Sequence, residues 1–257
     1  MSTPLLEAAG LHLRFGAVRA LDDVALDIHP GEVVAIVGES GSGKSTLLRV
    51  LAAQMEPHSG RVRYRDAAGA MQDIAALSEA ARRQIMRREW GFVHQNARDG
   101  LRMGISAGGN IGERLMAAGT RHYGAIRAAA ADWMARVEMD PARMDEPPSN
   151  FSGGMQQRLQ IARCLVTQPR LVFMDEPTGG LDVSVQARLL DLIRGLVSEL
   201  DLAVFFVTHD IAAARLLAHR IIVMRHGRIV EQGLADRVLD DPRHEYTQLL
   251  VASVLSA

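Results

Sequence analysis

The sequence predicts an α/β fold, and three observations carry that expectation. Short apolar runs alternate along the chain with stretches of helical period. Residues 32–37 are nearly continuous in β-branched side chains, as a strand buried on both faces requires. Residues 5–15 and 24–28 instead alternate apolar with polar positions, which marks an antiparallel sheet at the edge of the molecule.

Taken in order, the two alternating strands come first and the buried strand 32–37 follows. A Gly/Ser loop leads from it into a helix over residues 44–54. Residues 61–64 and Trp90–Val93 are further strands, and residues 105–137 turn to Ala, Met, Arg and Glu, a helical composition. Pro141, Pro147 and Pro148 make 140–149 a connecting loop. A helix over 152–167 ends before Pro169, because the residue ahead of proline disfavours the α region. Residues 171–174, Ala203–Val207 and 220–224 are buried strands, with a long amphipathic helix, Val183–Leu200, after the first of them. No internal repeat or interdomain linker interrupts the chain. The expected organisation is one domain over residues 1–257, with a core of 1–95 and 165–257 and a helical insert of 96–164.

Composition narrows the function classes. The chain has 257 residues, 48% hydrophobic and 23% charged, which suits a globular protein with a core of its own and excludes collagen-like or disordered chains. A formal charge of −1 argues against a nucleic-acid partner held by a bulk positive field. No apolar run reaches the length of about 18 residues that a membrane span needs, and the first ten residues lack the basic start and apolar stretch of a leader. The expected location is the cytoplasm. The lone cysteine, Cys164, can form no bridge within the chain and reads as a buried small residue. Arg82, Arg83, Arg87 and Arg88 form the densest basic cluster; a solvated face or an acidic protein partner both fit it.

One residue count is sharper. Of 29 basic residues a single one, Lys44, is lysine, so 28 are arginine. The exception stands where a compact ammonium on a thin stem cannot give way to a wide guanidinium. Gly38-Glu39-Ser40-Gly41-Ser42-Gly43-Lys44-Ser45 fits G-x-x-x-x-G-K-[ST] without a gap, after a strand and at the start of a helix that continues through Thr46. Glycines there let backbone N–H groups close round phosphate oxygens, and the helix N-terminus adds partial positive charge. Lys44 is expected on the β- and γ-phosphates of ATP and the Ser45 hydroxyl on Mg²⁺. At the end of the buried strand 171–174, Asp175 is the expected second Mg²⁺ ligand. Glu176 is the expected acceptor of the proton from attacking water. Lys44 and Asp175 lie 131 positions apart (175 − 44), more than one β–α–β crossover needs, so something is inserted between them.

Phe151-Ser152-Gly153-Gly154-Met155-Gln156-Gln157-Arg158 resembles the signature segment of ATP-binding cassette (ABC) ATPases. Ser152 is a good helix N-cap, and the two glycines leave a bare helix start able to approach phosphate. Phe151 and Met155 depart from the Leu and Gln usual in the pattern. The resemblance covers essentially the whole chain. It implies a P-loop NTPase with a RecA-like core, an antiparallel edge subdomain and an inserted helical subdomain. It also places Phe15 on adenine, Gln95 near the γ-phosphate and Mg²⁺, His209 on the γ-phosphate and Asp182 in the loop that crosses between two sites. Singly each has a plain alternative: core for Phe15, a surface amide for Gln95, a helix cap for Asp182, a strand-end histidine for His209. Six motifs in family order on one chain have none. The resemblance further implies two heads, head to tail, with Ser152, Gly153 and Gly154 of one closing over ATP on the other.

The branch is carried by other residues. The tail Asp241-Pro242-Arg243-His244-Glu245-Tyr246-Thr247 is similar to that of peptide- and nickel-importer ATPases. Residues 96–102 and 106–115 depart from those importers. With Arg121-His122-Tyr123-Gly124 they resemble the K components of bacterial phosphonate carbon–phosphorus lyase systems. That implies an ATPase docking on soluble lyase core subunits with no direct membrane insertion. An ATPase subunit of a peptide/nickel-type or phosphonate importer is the alternative.

Overall fold

The computed structural model describes residues 3–255. Strands β1 (Leu6–Phe15) and β2 (Val18–Ile28) form a hairpin, followed by β3 (Val33–Val37), α1 (Lys44–Leu51), β4 (Ser59–Arg65) and β5 (Met71–Asp73). Helix α2 (Glu79–Arg88) precedes β6 (Trp90–Val93). Four helices then intervene, α3 (Ala97–Gly100), α4 (Ala107–Ala117), α5 (Tyr123–Arg136) and α6 (Gly153–Leu165). The chain returns through β7 (Leu171–Asp175), α7 (Val183–Leu200), β8 (Ala203–Val207) and α8 (Ile211–Leu217). It closes with β9 (Arg220–Arg225), β10 (Arg228–Leu234), α9 (Ala235–Asp240) and α10 (Glu245–Leu255).

Two sheets result: a four-stranded antiparallel one ordered β2-β1-β4-β5, and a six-stranded one ordered β10-β9-β3-β8-β7-β6. In the larger sheet β9, β3, β8, β7 and β6 run parallel and β10 closes one edge antiparallel. The period of two along each strand divides the core. Val33, Ala35 and Val37 of β3 join the cluster that includes Met134, Leu159, Ile161 and Ile193 of the helices. Val34 and Ile36 join the opposite cluster, with Leu47 and Leu48 of α1 and Leu6, Leu11 and Leu21 of the antiparallel sheet. Sheet faces covered on both sides explain why these strands read as unbroken apolar runs.

Three segments match their sequence bounds, Trp90–Val93, Val183–Leu200 and Ala203–Val207. The second hairpin strand is longer than expected. Leu11 pairs with Val24 but Leu13 with Leu21, so Asp22 and Asp23 bulge out, Asp23 in a left-handed conformation. The bulge breaks the alternation by which a strand is read. The loop 140–149 carries two short 3-10 turns, Pro141–Asp145 and Pro148–Asn150. The basic cluster falls on α2, where Arg83 pairs with Glu79 at 3.3 Å and Arg88 donates to the Ala118 carbonyl at 3.1 Å. Among the described residues no helix is long and apolar enough to cross a membrane.

Cys164 is buried on α6, and burial pushes its thiol up to about 11. At pH 8 the folded protein should therefore leave a thiol-reactive dye such as dithionitrobenzoate unreacted, and urea should release one equivalent. Rapid reaction of the native chain would contradict the burial of Cys164 on α6.

Candidate functional site

The carboxyl ends of the parallel strands bring four loops to one edge of the sheet, where ligands of open α/β folds gather. The glycine-rich loop leaves β3, Gln95 lies two residues past β6, Glu176 directly follows β7, and His209 lies two residues past β8. Together with Phe15 and Val18 of the hairpin they line a cleft of about 610 Å³. Phe15 stands at it half-exposed, at 52%.

Two of the loop's glycines are demanded by their surroundings. Gly38 and Gly43 have φ of +146° and +106°, and a Cβ on them would lie 2.2 Å from the Met224 carbonyl and 2.3 Å from the Ala20 carbonyl. The loop is thus pressed between β9 and the hairpin. Its outer side is tied as well: Ser42 accepts from the Gly227 N–H at 2.9 Å, and the Glu39 N–H donates to the Tyr246 hydroxyl at 2.8 Å. Lys44 is buried, and its Nζ donates to the Gly38 and Glu39 carbonyls at 2.7 and 2.8 Å. Burial pulls the Lys44 pKa below its ordinary value, while the carboxylates of Glu176, Asp175 and Glu39 act in the other direction. The Ser42 hydroxyl is buried in the same loop without a hydrogen-bond partner.

The acids follow from the end of β7. Asp175, its last residue, is buried and accepts from the Ser45 hydroxyl at 3.0 Å. Glu176 adopts a left-handed backbone with φ of 43°, uncommon for a residue with a Cβ. Its N–H is held by the Val207 carbonyl at 2.9 Å, and its own carbonyl accepts from Gly179 at 2.9 Å. The turn sends the carboxylate into the cleft, where Oε2 accepts from Gln95 Nε2 at 3.1 Å and lies 3.2 Å from His209 Nδ1. A carboxylate so placed, above a lysine at the foot of a helix, can take a proton from a water attacking a bound phosphate.

The donor set suits a nucleotide with its metal. The glycine cradle and the unpartnered Ser42 hydroxyl offer hydrogen bonds to an anion. Ser45 and Asp175 supply two hard oxygens side by side. Among the described residues no group of three or more His, Cys, Asp or Glu could hold a metal alone. Mg²⁺ is bound through one or two such oxygens with the rest supplied by phosphates and water, so the pair is sufficient.

Ser152, Gly153, Gly154 and Asp182 are not brought to this cleft. Ser152 caps α6 by accepting from the Met155 N–H at 3.4 Å. Gly154 lets α6 approach the start of α7, because a Cβ there would lie 2.6 Å from Val185 Cγ1. Asp182 is exposed at the N-cap position of α7 and makes no capping bond. The departures at Phe151 and Met155 belong together: the Arg143 guanidinium lies 4.7 Å over the Phe151 ring and donates to Met155 Sδ at 3.7 Å. Sequence reasoning missed this arginine and the bond from Tyr246 to the glycine loop. The tail motif stood in view, yet nothing local ties it to a loop 207 positions away.

The sequence profile of the ABC transporter family matches residues 21–179. Two curated relatives, whose names both carry the qualifier "putative", cover almost the whole chain. A phosphonates utilization ATP-binding protein, PhnK, of Escherichia coli (strain K12) is 60% identical over 255 residues, 99% of each chain. A peptide import ATP-binding protein of Brucella melitensis biotype 1 is 39% identical over 263 residues, 98% of this chain and 78% of the relative. Among solved structures, a dimeric ATP-binding cassette in a post-hydrolysis state bound to ADP and Pi superposes with a TM-score of 0.79. It is 29% identical, covering 90% of this chain and 98% of that one.

Removing the Tyr246 hydroxyl should loosen the glycine loop without emptying the core. Tyr246→Phe is expected to lower stability by about 0.5–1.5 kcal/mol, the net worth of one hydrogen bond, read from urea unfolding of the nucleotide-free chain. An unchanged midpoint would mean that the Glu39 N–H finds water instead.

Proposed function

The chain belongs to the ABC transporter family and is an ATPase, and from that premise we propose a specific site, partner and place of action. ATP lies in the cleft with its adenine against Phe15 and its phosphates in the loop from Gly38 to Ser45, where Gly41 leaves the approach open and Thr46 extends the helix start. Lys44 Nζ exchanges its bonds to the Gly38 and Glu39 carbonyls for bonds to the β- and γ-phosphates. Ser45 and Asp175, with Gln95 beside them, would hold Mg²⁺, which would supply charge neutralisation for the departing ADP. Glu176 takes a proton from the attacking water as the γ-phosphoryl leaves for it, giving ADP and phosphate. Gln95 and His209 fix the carboxylate in place. The observation that carries this reading is the meeting of Gln95 Nε2 and His209 Nδ1 on one oxygen of Glu176.

Ser152, Gly153, Gly154 and Asp182 stand outside the chain's own cleft. In the proposed assembly they serve the ATP of a second ABC head, and the dimeric state of a solved relative supports that reading. The partner proposed is the soluble core of a carbon–phosphorus lyase, in the cytoplasm, with ATP-driven closure coupled to phosphonate breakdown. Identity of 60% to a phosphonates utilization protein, against 39% to a peptide import protein, favours it over a peptide/nickel-type importer.

Two measurements test the proposal. Glu176→Gln should lower turnover by roughly 10²–10⁴-fold, the usual worth of a general base, while ATP binding persists; unchanged turnover would remove Glu176 from the role. Tagged Glu176→Gln protein, purified with ATP and Mg²⁺, should bring down soluble lyase chains identified by mass spectrometry. A polytopic membrane protein in their place would make this an importer motor.

A further inference from the structure

Gln160 lies two turns into α6, buried at 1% exposure. Its Oε1 accepts the His94 N–H at 2.7 Å and its Nε2 donates to the His94 carbonyl at 3.1 Å, so one side chain closes on both polar groups of a single residue. Gln157 adds a second bond to the same carbonyl, 3.2 Å from its Nε2, and accepts from Gln160 at 3.1 Å. The chain then wraps over the amide: a Cβ on Gly100 would lie 2.2 Å from Gln160 Oε1. At the far end of the segment another buried amide repeats the arrangement. Asn110 accepts the Arg102 N–H at 2.8 Å and donates to the carbonyls of Arg102, Ile105 and Ser106. Residues 94–106 are therefore pinned at both ends by carboxamides.

Only a carboxamide carries a donor and an acceptor spaced to meet one residue's N–H and C=O together; Glu, Met or Leu of like size lacks one or both. The residue so clamped is the one before Gln95, whose amide holds Glu176. We propose that Gln160 is a positioning residue: by fixing the His94 backbone to α6 it sets Gln95 on Glu176 and ties the placement of α6 to hydrolysis. This rests on the ATPase reading above and adds to it the route by which α6, whose N-cap is Ser152, reaches the cleft.

A side chain that only satisfied buried polar groups would affect stability alone. The test is a double-mutant cycle on the full chain. Gln160→Met keeps the volume and removes both bonds to His94. It should lower kcat by about 10²-fold, the cost of a small misplacement of a catalytic group, with the KM for ATP unchanged because Lys44 and its loop are untouched. In a Gln95→Ala background the same substitution should cost nothing further, since residues acting through one another are not additive. Gly100→Ala, which presses on the clamp from the other side, should give the same split between kcat and KM.

Hydrogen exchange of the nucleotide-free protein gives a readout free of turnover: amides of 94–100 should exchange faster in Gln160→Met, those of 38–46 at the original rate. Equal loss of kcat with and without Gln95, or unaltered exchange at 94–100, would overturn the proposal. If the unsubstituted chain hydrolysed no ATP, the ATPase reading would fall, and the exchange data would still decide whether the clamp exists.

Discussion

The burial of β3 on both faces is the constraint on which the rest depends. β3 lies between β8 and β9, in parallel register with each, and all five of its residues are buried. A loop that offers its N–H groups to an anion has given up much of its own hydrogen bonding, so it cannot be stable by itself. Its rigidity comes from what it leaves and what it touches. The strand fixes one end and α1 the other. Met224 and Ala20 close on Gly38 and Gly43, and Gly227 and Tyr246 fasten the backbone from outside. The cleft is thus a surface feature held by the deepest part of the protein.

The same geometry explains why acids can stand so close to a lysine without collapsing onto it. Lys44 already spends two of its three donors on the carbonyls of Gly38 and Glu39. Asp175 is engaged by Ser45, and Glu176 by Gln95 and His209. No ion pair within 4.0 Å joins Lys44 to either acid among the described residues. The arginines elsewhere behave differently. Arg127 meets Asp145 with two parallel bonds and Arg143 meets Glu146 likewise, in the fork geometry that a guanidinium favours. An ammonium is a more compact group than a guanidinium, and the single lysine of a chain with 28 arginines stands where the cation sits buried between two carbonyls of one tight loop.

What the sequence revealed depended on range. Buried strands such as Ala203–Val207 announce themselves by composition, and the glycine loop does so because its chemistry lies within eight consecutive residues. The edge strand β10 passed unread: its residues are exposed or half-buried, so no apolar run or clean alternation marks it. The bulge at Asp22–Asp23 hid the first half of β2 in the same way. Within the site, Asp175 and Glu176 were legible because they end and follow a buried apolar strand, whereas Gln95 and His209 were placed only by the family resemblance. Gln160 and Tyr246 were not. Their partners lie 66 and 207 positions away, and a glutamine on a helix or a tyrosine in a tail carries no local sign of the bond it makes.

The two glycines at the start of α6 show how an unmet requirement inside one chain bears on its partner. Gly154 needs no outside cause, since a side chain there would strike Val185. Gly153 is another matter. It has an ordinary helical backbone and is exposed, and a Cβ on it would stand 3.6 Å from Leu181 Cδ2, a normal contact. Nothing in this chain calls for glycine at that position, where alanine would fit. A helix start left bare and exposed, with a serine capping it, suits close approach by an external anion.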